Sequence, residues 1–172
     1  MRDNGRGAPP DVSAIPTGRR SERLHVRAPL VYCFPQAYSA IMITTRANPE
    51  GLATIPGGVI LTVATGSRIV HISGQTGVDA EGNVVGTTHL DQSRRALQNL
   101  STAIAAAGAT PADVAKLGIY VVNYSEAAVE ALINAAVEVF GEDFPVTAST
   151  LIGVATLWQP DLLIEIDAVC VL

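Results

Sequence analysis

Apolar positions along this chain follow two different periods, and each switch between them marks an element. Across residues 90–107, Leu97, Leu100, Ile104 and Ala107 recur at three- and four-residue spacing and form one stripe of an α-helix. Asp91 falls in the first turn, where the helix dipole favours an anion, and Gly108 follows the last periodic residue as a C-terminal cap. Residues 126–140 repeat the helical pattern, with Val129, Leu132, Ile133, Ala136, Val137 and Phe140 as the expected buried stripe. Ser125 is placed to cap its start and Gly141 to end it. Elsewhere the period drops to two or gives way to short apolar runs. Residues 59–64, 69–72, 116–124, 150–155 and 162–171 therefore read as strands. The second of these, rich in β-branched side chains, is expected to stop at a turn made by Ser73, Gly74 and Gln75. Thr65-Gly66-Ser67 is expected to fold the first two runs into a hairpin, and Gly57-Gly58 and Glu81-Gly82-Asn83 read as further turns.

The element order is strand, strand, helix, strand, helix, strand, strand. Each strand–helix–strand step favours a right-handed crossover, and two helices of this length cover one face of a sheet. Leu117, Ile119 and Val121 share one face of their strand while Tyr120 and Val122 share the other. Residues 162–171 are apolar on both faces except at Glu165 and Asp167. Strands apolar on both sides need cover on both sides. No further element remains in the chain to supply it, so a partner subunit is expected to do so.

Residues 1–41 keep no period and carry Pro9, Pro10, Pro16, Pro29 and Pro35. They read as a Pro/Arg-rich extension, disordered or an over-extended start with translation beginning at Met42. A targeting peptide is the third reading, and residues 42–172 form the domain. Charge supports that boundary: residues 1–46 hold seven arginines against three acids, and the remainder holds four basic residues against thirteen acids. The overall net charge of −5 argues against a nucleic-acid partner held by bulk electrostatics. No apolar run is long enough to cross a membrane, and Cys33 and Cys170 form no paired motif, which points to a reduced, cytoplasmic compartment.

Candidate chemistry is sparse. His25, His71 and His89 show no ligand spacing, so no metal site is read, and no cofactor-binding loop is present. His71 alternates with apolar neighbours and reads as packed or hydrogen-bonded, and Arg94 and Arg95 are assigned to a solvated helix face without a role. Glu165 stands out between Ile164 and Ile166, because carboxylates are rarely buried unless paired or functional. A buried glutamate has a raised pKa and can position or deprotonate water. The alternatives are a wet strand face or an intersubunit ion pair.

Taken together, Val70-His71-Ile72-Ser73-Gly74-Gln75, the helix from Gln92 with its Ala-Gly end and following Pro-Ala-Asp-Val, the strand over residues 116–123 and Ile164-Glu165-Ile166-Asp167-Ala168-Val169 resemble the Rid family, the YjgF-like reactive-intermediate deaminases. The resemblance covers about residues 55–172. It implies an α+β, chorismate-mutase-like single domain, a mixed β-sheet with two helices on one face, assembled as a homotrimer with ligand pockets between subunits. It also implies a cofactor-independent hydrolysis of 2-imino acids or their enamine tautomers to ammonia and a 2-keto acid. An arginine shortly after the proline that follows the second helix would clamp the substrate carboxylate, and the glutamate of the last strand would place the water.

Carried over residue by residue, Ser73 and Gly74 match the pocket turn, Glu165 matches the glutamate and Asn134 the helix asparagine. The arginine does not carry over. Counted back from Ile164 its place holds Thr150, and no arginine follows Arg95; the family's pocket tyrosine is replaced in Gly57-Gly58-Val59-Ile60. Arginine offers a carboxylate two charge-assisted hydrogen bonds, whereas threonine offers one neutral hydroxyl. The resemblance therefore implies a small carbonyl- or imine-like ligand and altered specificity, with Glu165 placing water. The other reading is a non-catalytic binding or regulatory trimer on the same scaffold. A ribonuclease role, also attached to this family, finds no basic patch here.

Overall fold

A computed structural model describes residues 42–53 and 58–172. The expectations for residues 1–41 and for Gly57 lie outside the described residues. The described chain forms six strands and two helices, in the order β1 Met42–Ala47, β2 Leu61–Thr65, β3 Ile69–Thr76, α1 His89–Ala106, β4 Val114–Val122, α2 Glu126–Phe140, β5 Ala148–Val154 and β6 Ile164–Val171. The main sheet has the strand order β3-β6-β4-β5. β6 is antiparallel to both of its neighbours, so β3 and β4 run parallel to each other on either side of it, and β4 pairs in parallel with β5. This is the mixed sheet expected from the sequence.

The expected hairpin between the first two strand runs does not form. β2 pairs antiparallel with β1, from Met42 opposite Thr65 to Ala47 opposite Leu61. Beyond β2 the chain is taken up by the end of β6 instead. The Ser67 and Arg68 amides donate to the Leu172 carbonyl at 2.7 and 2.6 Å, and the Leu172 amide donates to Arg68 at 2.8 Å. β3 is thereby delivered to β6. The β1–β2 ribbon is tied to the start of β5, where the Ala148 amide donates to Thr62 Oγ1 at 3.0 Å and Val59 bridges Ala148.

The second correction concerns Ser73, Gly74 and Gln75. They do not end the strand, because β3 runs on to Thr76. Ile72 pairs with Ala168 but Gln75 pairs with Ile166, so β3 carries one extra residue there. A β-bulge of this kind interrupts the ladder and re-aims the local backbone.

Both helices begin and end as their sequences predict. Thr88 Oγ1 accepts from the Asp91 amide at the start of α1, and Ser125 Oγ accepts from the Ala128 amide at the start of α2. After α1, Gly108 at φ 74° lets its own amide reach Ala105 and that of Ala109 reach Ile104, which closes a Schellman cap. Leu97, Leu100 and Ile104 of α1, Leu132 and Ala135 of α2, Leu117 and Val121 of β4 and Ile164, Ile166 and Ala168 of β6 build one core on one side of the sheet. The buried stripe of α2 differs from the predicted one. Ala128, Leu132, Ala135, Ala136 and Phe140 are buried, while Ile133 and Val137 are 57% and 63% exposed. The small alanines let α2 lie close to its neighbours, and that rotates the larger side chains outward.

Arg94 is not free on a solvated face. It bridges Asp91 of its own helix and Glu138 of α2. The hydrogen bond to Glu138 is the main reason that the Arg94 pKa is raised and that of Glu138 lowered. Arg95 donates to the Val78 carbonyl at 3.1 Å. His71, expected to be packed or hydrogen-bonded, is exposed on β3. No helix among the described residues is long and apolar enough to cross a membrane.

Candidate functional site

The alternation of β6 divides its chemistry cleanly. Ile164, Ile166, Ala168 and Cys170 are buried beneath the helices, so Glu165 and Asp167 belong to the opposite, open face of the sheet, where both are half-buried. Register then sets their neighbours. Glu165 lies opposite Thr76 of β3 and Tyr120 of β4; Asp167 lies opposite Gly118 of β4, which in turn pairs with Thr150 of β5.

Two glycines seat the two carboxylates. A Cβ on Gly74, at the bulge, would overlap Glu165 Oε1, and a Cβ on Gly118 would overlap Asp167 Oδ2. The Glu165 side chain therefore lies directly over the backbone of the bulge, with the exposed Ser73 beside it. Tyr120 Oη donates to Asp167 Oδ2 at 2.9 Å. That hydrogen bond, followed by the charge of Asp167, burial and the charge of Glu165, holds the Tyr120 phenol above its usual pKa and keeps it a neutral donor. One strand further on, Lys116 Nζ donates to Thr150 Oγ1 at 2.5 Å.

The structure thus brings Gly74 and Glu165 into contact, with Ser73 adjacent, and places Thr150 on the same face two strands away. Asn134 is elsewhere: it is exposed on α2, in the layer on the other side of the sheet. Thr147 lies just before β5. That residue is 4% exposed and lies 3.0 Å from the Thr62 hydroxyl, so of the two threonines Thr150 is the one that faces the open side. Sequence reasoning missed Tyr120, Gly118 and Lys116 as parts of the site. Their signal was present: a glycine, a tyrosine and a lysine hold alternate positions of one strand, 116, 118 and 120.

A cleft of about 570 Å³, lined by Arg46, Thr110, Glu142, Asp143 and Phe144 among others, contains none of the residues around Glu165. Ile69 and Ile152 on the open face are 68% and 46% exposed.

Residues 62–172 match the family described as Endoribonuclease L-PSP, and the chain belongs to that family, which is the Rid or YjgF family. It is similar to a 2-iminobutanoate/2-iminopropanoate deaminase of Dermatophagoides farinae, with 29% identity over 132 residues, 76% of this chain and 99% of that protein. The solved structure of the Rid-family protein YyfB of Yersinia pestis, described as of unknown function, is 38% identical. It covers 74% of this chain and 98% of its own, with a TM-score of 0.67. The structure of E. coli TdcF with bound serine, 24% identical over 76% of this chain and 98% of that chain, shares the fold at a TM-score of 0.54.

Proposed function

We propose that this chain binds a small carbonyl- or imine-bearing metabolite on the open sheet face, in pockets completed by neighbouring copies of a homotrimer, and that it hydrolyses an imine or enamine there. The observation that carries this reading is the seating of the Glu165 carboxylate over Gly74. A half-buried carboxylate, fixed against a bulged backbone and beside a neutral phenol, is suited to orient water and take a proton from it. Glu165 takes a proton from the water as it adds to the C=N carbon and passes it to nitrogen, giving a carbinolamine. The hydroxyl proton is then carried by Glu165 to the amine as the C–N bond breaks, so that ammonia leaves and a C=O group remains. The similarity to the mite deaminase supports this class of reaction. Thr150 supports the second reading, a non-catalytic binding trimer, because a neutral hydroxyl holds a substrate carboxylate less firmly than a guanidinium fork.

The test is hydrolysis by the purified protein of 2-iminobutanoate, generated in situ, and of a neutral imine of similar size. Turnover of whichever imine is hydrolysed is expected to fall at least about a hundredfold in Glu165→Ala, a loss within the range of general acid–base contributions. Turnover unchanged in Glu165→Ala would sink the catalytic role, and no turnover of either substrate would favour the binding module.

A further inference from the structure

We infer that Lys116 is the anion-binding residue of the open face, so that the ligand is dipolar: an anionic group is held by Lys116 with Thr150, and its reactive carbon is presented toward Glu165. This deepens the proposed function and rests on its premise that the open face receives a small ligand.

Three observations carry it. Lys116 is half-buried on β4, yet among the described residues its ammonium pairs with no carboxylate, although Glu165 and Asp167 share its face. Among the described residues its one hydrogen bond goes to the uncharged Thr150 hydroxyl, which leaves ammonium protons to donate. Asp167 is already engaged, taking the Tyr120 hydroxyl at 2.9 Å and lying against Gly118. The face is therefore polarised along β4. The Lys116 ammonium reaches Thr150, which is in register with Gly118, and the Tyr120 row, which includes Glu165, lies two residues further on, about 7 Å along the strand. Over Gly118 lies the Asp167 carboxylate, already held by the Tyr120 hydroxyl. An ammonium beside a hydroxyl makes a single-point anion site, weaker than an arginine fork but charged. The positive group has a place on β4 even though β5 carries none.

The experiment is equilibrium binding by the full chain of 2-oxobutanoate, which has no C=N bond to hydrolyse, against its neutral amide 2-oxobutanamide. Both are measured at low salt in the wild type and in Lys116→Met, Lys116→Arg and Thr150→Val. The expected result is that Lys116→Met weakens 2-oxobutanoate about tenfold, a charged hydrogen bond discounted for exposure. Lys116→Arg should restore the affinity, and the amide should change less than about twofold across the set. Wild-type protein that binds neither probe, or that binds the amide as tightly as the acid, overturns the inference, as does equal weakening of both probes in Lys116→Met. Should Lys116→Met lose its fold by circular dichroism, the decision passes to Lys116→Arg. Arginine that holds the acid no better than the amide counts against the inference. Because turnover is not read, loss of hydrolysis in Glu165→Ala and loss of acid binding in Lys116→Met are separable failures.

Discussion

At the scale of single residues, the open face works through pairs in which a small group makes room for a charged one. Tyr120 and Asp167 form the pair most open to a direct test. The phenol titrates above its usual value because ionisation would break its hydrogen bond to Asp167 and set a second charge beside the first. A group with a raised folded pKa contributes stability that is fully present below its unfolded value and lost as pH rises through the folded one. The wild type is therefore expected to lose stability more steeply than Tyr120→Phe above about pH 10, read as melting temperature against pH. Parallel alkaline limbs would show that the bond does not link to folding. Sequence reasoning reached both members of the Gly74–Glu165 pair, but only Asp167 of the Tyr120–Asp167 pair and only Thr150 of the Lys116–Thr150 pair. A tyrosine or lysine in a strand looks like ordinary surface until the register of the partner strand is known.

At the scale of elements, legibility follows the range of the signal. Helix α2 is readable end to end because Ser125, the 3.6-residue period and Gly141 are all local. Its buried face is less readable. Weighting large apolar side chains selects Ile133 and Val137, whereas the packing is decided by Ala128, Ala135 and Ala136. The separation of β3 from β2 is not readable at all, since it goes with Leu172 holding Ser67 and Arg68 from more than a hundred residues away. The packing claim makes a sharp contrast. Ala135→Leu is expected to cost about 1–3 kcal/mol through overpacking, while Val137→Ser should stay within about 0.5 kcal/mol. Urea denaturation of the variants at one protein concentration measures both. A larger loss for Val137→Ser would return the buried stripe to the predicted side.

At the scale of the whole molecule, the sheet has one face sealed by α1 and α2 and one face carrying apolar and charged groups in the open. Ile152 lies opposite Tyr120 on β5, and Ile69 lies at the start of β3. The homotrimer proposed above would cover these exposed apolar groups. Sedimentation velocity at micromolar concentration is expected to show a trimer, and Ile152→Lys is expected to shift it to smaller species. A wild-type monomer would count against the assembly and against pockets shared between subunits.

The seating of Glu165 over Gly74 also constrains the order in which this site can change. A methyl group at position 74 and the long carboxylate at position 165 claim the same volume. A lineage that shortens residue 165 first can then admit a side chain at 74, whereas the reverse order forces the Glu165 side chain off the bulge. Loss of the carboxylate is thus easily locked in and hard to reverse.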